Sequence, residues 1–245
     1  MTAEKPVALV TGASRGIGAA LAERLAKDGY HVVLTARTEG GLVEVEERIH
    51  AAGGTATIAP LDLTQATDVD KLAAALAGRW GKLDLLVLNA ATLGSLAPVA
   101  HAGPDEFETI MALNVTAQWR LLRNFDPMLR RARGAVVAFT SSVASRAQPY
   151  WGPYAASKAA LETLIGTYAA EMQALGVPAL IVDPGGTRTA MRAKAYPGED
   201  PLSLKPAETV ADAVGDRLAG GLPAGLSRLA IDRQGQIIPE DQRVA

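Results

Sequence analysis

The sequence predicts an α/β fold, a single-domain, doubly wound parallel sheet of Rossmann-like type covering residues 1–245. Three observations carry that expectation. Short, continuous apolar runs bounded by turn residues alternate with longer stretches of helical periodicity. A glycine-rich turn joins the first apolar run to the first helical stretch. No segment between them is long or polar enough to be a linker, and a chain of 245 residues can bury one full core without staples.

Val7–Thr11 reads as the first strand, being short, apolar and closed by Gly12. Ile17–Lys27 reads as a helix, because Ile17, Leu21 and Leu25 recur at spacing four and Gly29 follows its end. The same logic gives strand His31–Ala36, helix Leu42–Ala52, strand Thr55–Pro60, helix Val69–Arg79 and strand Leu83–Asn89. Helical pattern then starts near Asp105, behind Pro104 at a first-turn position, and continues past Asn114 to about Arg131. Strand Ala135–Ser141, helix Pro153–Leu175 and strand Val177–Asp183 follow. A long loop near Thr189–Lys205, a helix from Ala207 and a strand Ser227–Ile231 complete the series. Right-handed crossovers place the binding crevice at the carboxyl ends of the strands.

Composition excludes several function classes. Lys plus Arg is 24 against 26 for Asp plus Glu, a net charge of −2, so no basic excess awaits nucleic acid. The absence of Cys removes disulfides, thiol catalysis and thiolate metal sites. His31, His50 and His101 have no metal-ligand spacing, so no metal is expected. The run Leu83–Gly103 is interrupted by Asp84, Asn89 and Pro98, which favours a buried strand plus loop over a membrane span. The first residues lack a charged-then-apolar leader pattern, and the expectation is a soluble, cytoplasmic protein.

The turn Thr11-Gly12-Ala13-Ser14-Arg15-Gly16-Ile17-Gly18 has the pattern of a backbone cradle for an anion such as pyrophosphate. Its glycine spacing differs from the general G-x-G-x-x-G fingerprint, and the Gly-Lys-Ser/Thr of a P-loop is missing. Gly12 to Gly16 also matches G-x-S-x-G, which would make Ser14 a hydrolase nucleophile. That alternative needs a downstream His, and the last His is His101.

Tyr154 and Lys158 are four residues apart at a helix start, hence on one face. An ammonium about 4 Å from a phenol, at an effective dielectric near 20, contributes about 4 kcal/mol. That would lower the phenol by roughly 3 pK units, into a useful acid/base range. Tyr154 is expected to titrate low for this reason. Trp151 lies close enough in sequence to reach a substrate at Tyr154, although packing is the simpler role for a tryptophan.

Taken together, Thr11–Gly18, Asn89-Ala90-Ala91, Asn114, Ser141, Tyr154–Lys158 and Pro184-Gly185 resemble the short-chain dehydrogenases/reductases, over nearly the whole chain. The resemblance implies that Tyr154 exchanges a proton with the substrate oxygen. Lys158 would lower the Tyr154 pKa and hold the nicotinamide ribose, Ser141 would orient the substrate oxygen, and Asn114 would hold a water linking Lys158 to solvent. Ser141 and Ser142 are adjacent; the family's usual thirteen-residue interval to Tyr154 favours Ser141, and Ser142 stays open.

For the cofactor, the resemblance implies contacts from Gly12, Ser14, Arg15, Gly16, Ile17 and Gly18, from Asp62 and Leu63 beside the adenine, and from Asn89 and Ala90. Tyr154, Lys158, Pro184 and Gly185 would also contact the cofactor, and Thr187 and Thr189 would hold the carboxamide. Two departures stand out: Ala91 where the family usually has Gly, and Asp183 where it often has Asn. The position of the NAD-type acid carries Ala36, followed by Arg37, with Arg15 a second cation on the same side. NADP(H) is therefore the expected cofactor. The expected activity is hydride transfer between it and a small-molecule carbonyl (ketone, aldehyde or oxoacyl group) or the matching alcohol. A non-catalytic NADP(H)-sensing protein is the alternative. Residues 189–205 are expected to form a substrate lid without regular structure, with Pro197-Gly198 and Pro201 interrupting any helix and Met191 and Tyr196 giving apolar cover. The resemblance further implies a homo-oligomer, tetramer or dimer, pairing through Val115–Arg131 and Pro153–Leu175.

Overall fold

A computed structural model describes residues 5–239. Its strands are β1 (Val7–Thr11), β2 (His31–Thr35), β3 (Thr55–Ile58), β4 (Leu85–Leu88), β5 (Ala135–Phe139), β6 (Ala179–Asp183), β7 (Leu226–Ile231) and β8 (Ile237–Ile238). The helices are α1 (Gly16–Lys27), α2 (Glu39–Ala51), α3 (Ala66–Arg79), α4 (Pro104–Met111), α5 (Ala117–Ala132), α6 (Gly152–Met172), α7 (Ala190–Ala195) and α8 (Ala207–Ala219).

The strands form one sheet in the order β3-β2-β1-β4-β5-β6-β7-β8, parallel except where β7 meets β8. Strand order reverses between β1 and β4, so their carboxyl ends splay two sets of loops apart and open a crevice. The central strands are apolar on both faces because both are covered. Residues Ala8, Val10, Leu85 and Val87 pack under α1, α2 and α8, while Leu9, Leu86 and Leu88 pack under α3, α5 and α6. Helix α1 lies close to the sheet through Gly18, Ala19 and Ala22, and Gly29 (φ 97°) turns the chain into β2. Arg24 ties α1 to α8 by ion pairs to Asp212 at 3.0 Å and Asp216 at 2.8 Å, and is also bonded to Asp28.

The architecture is the expected one; four details differ. The long helix expected from Asp105 is divided by a π turn, Ala112–Thr116, that carries Asn114. Helices α2 and α3 begin three residues early, because Thr38 and Gln65 open them before the first apolar residue of the stripe. Residues 189–205 contain α7 and a short 3₁₀ turn, Pro201–Ser203, so the segment is not devoid of regular structure. Strand β8 was not expected, since two residues give no periodicity to read. Among the described residues no helix is long and apolar enough to cross a membrane, and no group of three metal-ligating side chains occurs.

Candidate active site

The glycine loop is braced from below. Thr11 Oγ1 donates to Val87 O at 2.9 Å and accepts from Asn89 N and Ala90 N. Asn89 Nδ2 donates to Thr11 O at 2.9 Å and Gly12 O at 3.2 Å. A Cβ on Gly12 would stand 2.9 Å from Asn89 Nδ2, and one on Gly18 would enter the Gly12 carbonyl. Only glycine therefore lets β1, α1 and the end of β4 meet this closely. Helix α1 starts at Gly16 with no side-chain cap, which leaves its first N–H groups directed at the crevice. Ile17 continues into this turn and Ser14 packs against Gly41 of α2.

Beyond the loop, Ala36 follows β2 and Arg37 is exposed. Neither Arg15 nor Arg37 has an ion pair among the described residues. Asp62 accepts from Thr64 N at 2.9 Å and Thr64 Oγ1 at 2.8 Å, and those bonds, assisted by nearby Arg37, hold its carboxyl below the usual range. Leu63 is buried beside it. An uncapped helix terminus, two unpaired guanidiniums and no carboxylate at position 36 make a donor set that fits a dinucleotide with an extra phosphate.

On the other side, α6 presents Tyr154, Ser157 and Lys158, all buried. Lys158 Nζ donates to Phe139 O, at the end of β5, at 2.8 Å. Burial pulls this ammonium down to about 8, against the opposing pull of Glu162. The Tyr154 phenol moves opposite to the sequence expectation. Burial, then the Asp183 carboxylate, pushes it up. The ammonium sits 5.8 Å from the ring centroid and spends a donor on a carbonyl, so its field at the phenol oxygen does not overcome desolvation.

Ser141 follows β5 in extended conformation and is half-buried, whereas Ser142 is exposed and begins a 3₁₀ turn. Asn114 is fully buried: its Nδ2 donates to Thr92 O and Ser157 Oγ, and its Oδ1 accepts from Thr92 N at 2.8 Å. Its side chain thus ties the loop after β4 to α6. The π turn at this point is a form frequent at functional sites.

The loop after β6 closes the arrangement. Gly185 N donates to Asp183 Oδ1 at 3.0 Å, and burial pushes the Asp183 carboxyl up. Thr187 Oγ1 donates to Pro184 O. Thr189 caps α7 by accepting from Arg192 N, and its methyl lies 3.5 Å from where a Gly16 Cβ would stand. The two edges of the crevice therefore meet at Gly16 and Thr189. Around Tyr154 packs an apolar cluster of Leu93, Val143, Trp151, Met191 and Ala195, with Met191 Sδ 4.0 Å from the phenol oxygen. Tyr196 packs against Trp151, Arg192 lies over Tyr196, and Glu199 binds both Arg192 and Arg233.

The model for the short chain dehydrogenase family matches residues 6–200. The chain belongs to that family. Among its relatives is an uncharacterized oxidoreductase of Escherichia coli, YciK, 38% identical over 203 residues, 81% of this chain and 80% of that protein. A short chain dehydrogenase from Shigella flexneri, crystallised with NADP, superposes with a TM-score of 0.87 at 33% identity, covering 94% of this chain and 97% of its own. An alcohol dehydrogenase from Thermococcus sibiricus, in complex with 5-hydroxy-NADP, gives 0.85 at 31% identity, covering 97% and 100%.

In this short-chain dehydrogenase the sequence-identified residues Asn114, Tyr154 and Lys158 converge around the end of β5, and Gly12 to Gly18, Arg37, Asp62 and Asn89 gather at the splayed ends of β1 to β4. Among the described residues no His or carboxylate is hydrogen-bonded to Ser14, which leaves the hydrolase alternative without a base there. The reading missed Ser157, which links Asn114 to the Tyr154 carbonyl, and Thr11, which braces the loop. It also missed Lys205 behind the carboxamide loop, whereas Met191, expected as apolar cover, does stand against the phenol. Proximity to Lys158 could have flagged Ser157; nothing local marks the other long-range partners.

Proposed function

We propose that the protein is an NADP(H)-dependent oxidoreductase that interconverts a carbonyl and an alcohol. The observation that carries this is Tyr154 and Lys158 buried on one turn of α6, with the phenol set against that apolar cluster. When bound, the nicotinamide supplies or accepts the hydride. Tyr154, kept protonated by burial and Asp183, donates its proton to the substrate oxygen in reduction and takes it back in oxidation. Lys158 has three donors and spends one on Phe139 O, so two are free for the ribose hydroxyls. Ser141 holds the substrate oxygen, and Asn114 fixes the floor of the site through Ser157. Arg15 and Arg37 bind the 2′-phosphate, Asp62 and Leu63 flank the adenine, and Thr187 and Thr189 hold the carboxamide.

The residues of that cluster are apolar, and the adjacent Arg192 is held by Glu199 at 2.6 and 2.8 Å. This supports a substrate with an apolar group beside its carbonyl. Met191 must leave the phenol for the oxygen to bind, so residues 189–205 act as the lid, and its flexible thioether makes that exchange easy. NADPH oxidation, followed by absorbance with ketones, aldehydes and oxoacyl thioesters, tests the reading. Tight NADPH binding without turnover of any of them would favour the sensing alternative. We further propose a homo-oligomer pairing through α5 and α6, supported by Trp119 and Phe107, exposed by 44% and 42% beside those helices. A light-scattering mass of one chain over a range of concentrations would refute that.

A further inference from the structure

One buried ionisable group takes no part in the proton transfer or in contact with the cofactor. Lys205 lies in the chain between the Pro201–Ser203 turn and α8, and only 6% of it is exposed. Its Nζ donates to Gly186 O at 3.0 Å and to Asp232 O at 2.5 Å. Its backbone grips the same segment: Thr187 and Lys205 form an isolated parallel bridge, and Arg188 N donates to Lys205 O at 2.9 Å. Main chain and side chain of one residue therefore clasp residues 186–188, which include Thr187.

The other partner is equally fixed. Asp232 begins the turn between β7 and β8, and its Oδ1 accepts from Gln234 N and Gln236 N. The neighbouring Arg233 reaches Ser203 Oγ at 2.7 Å and Glu199 at 2.9 Å. This one turn anchors both the loop after β6 and the far end of the lid. Burial pulls the Lys205 ammonium down to about 8, with Asp232 and Asp183 opposing and Arg192 reinforcing that shift. An apolar side chain of the same length would fill the space without the cost of desolvating a charge, so packing alone does not account for a lysine here.

We propose that Lys205 is a positioning residue for the nicotinamide half of the site, holding Gly186 so that Thr187 meets the carboxamide at a fixed angle. The proposal rests on the reading of Thr187 as a carboxamide contact. Lys205 itself touches neither cofactor nor substrate. Its effect should be confined to ligands that extend to the nicotinamide, because the adenine end lies across the crevice on β1, β2 and β3.

The test compares two ligands in three proteins. NADPH spans the whole crevice; 2′,5′-ADP carries the adenine and the 2′-phosphate but no nicotinamide. Dissociation constants would be measured by fluorescence and calorimetry for the unaltered chain, Lys205→Met and Lys205→Arg. The expected result is NADPH weakened about tenfold in Lys205→Met. Binding of 2′,5′-ADP should stay within about twofold, and Lys205→Arg should recover most of the NADPH affinity, because it restores a charged donor. If Lys205→Met does not fold, Lys205→Gln replaces it with the same expected split. Equal weakening of both ligands, unchanged NADPH binding, or an arginine variant as poor as the uncharged one overturns the proposal. An unaltered chain that binds 2′,5′-ADP but not NADPH overturns it together with the carboxamide reading; one that binds neither refutes the cofactor itself.

Discussion

At the adenine end of the crevice, the candidate residues come from three turns that each follow a strand: Gly12–Gly18 after β1, Arg37 after β2, and Asp62-Leu63 after β3. Arg15 and Arg37 are exposed there, and Asp62 is bonded to its near neighbour Thr64. At the nicotinamide end, Tyr154 and Lys158 are buried and Asp183 is half-buried; contacts reach them from β5 and the lid, while Asn114 on the π turn ties Ser157 of α6 to the loop after β4. The first end works by displayed donors in solvent. The second works by desolvation, which moves the phenol up and two lysines down to about 8. On the proposed function, the difference separates specificity from chemistry: cofactor choice in exposed charge, reactivity in buried charge.

The largest expected effect separates the two ends outright. Tyr154→Phe should lower carbonyl reduction about 10²–10⁴-fold while NADPH binds as before. Turnover near that of the unaltered chain, measured by NADPH absorbance, would break the division. Arg37→Ala tests the adenine end alone. NADPH should weaken roughly 10- to 150-fold and NADH little, since a hydrogen bond to a charged group is worth about 1.5–3 kcal/mol. Equal loss for both cofactors would remove the phosphate assignment.

Proton linkage sharpens the comparison. Lys158 has its pKa lowered by burial to about 8, so its ammonium is present below that pH and lost above it. The kcat/KM for reduction should therefore fall as pH rises through about 8, by up to about tenfold per unit, while 2′,5′-ADP affinity follows no such step. A profile flat to about pH 9.5 would contradict the assignment. The smallest effect belongs to the lid. Glu199→Gln weakens the pairs to Arg192 and Arg233, so amide exchange in 190–203 should quicken and turnover shift by about two- to fivefold. Unchanged exchange there would mean that packing on Trp151, not the ion pairs, holds the lid.

The same contrast explains what the sequence could disclose. Strand and helix order was legible because the central strands are buried on both faces and read as continuous apolar runs, as in Leu85–Leu88. The glycine loop and the Tyr154–Lys158 pair were legible because each is a local pattern on one turn. The direction of the Tyr154 shift was not, because it depends on burial by Met191 and Trp151 and on Asp183 from another strand. Helix α7 escaped notice because six residues between Thr189 and Pro197 show barely more than one helical repeat. Lys205 has no local signal in the sequence; only the tertiary approach of Gly186 and Asp232 makes it a buried, bonded lysine.

The two outer strands of the sheet have a bearing on how copies of this chain can associate. β3 has four residues and β8 two, and each is followed by a proline within two positions, Pro60 and Pro239. A wide parallel sheet ordinarily ends in rows of unpaired backbone groups, which invite another chain to add a strand and then another. Here those rows are short and each runs into a residue that has no N–H to offer. Growth of the sheet from β3 or β8 into another molecule is therefore disfavoured, although β8 pairs only Ala230 and Ile231 of β7. An assembly made instead from helix faces closes on itself by symmetry and stops at a finite size.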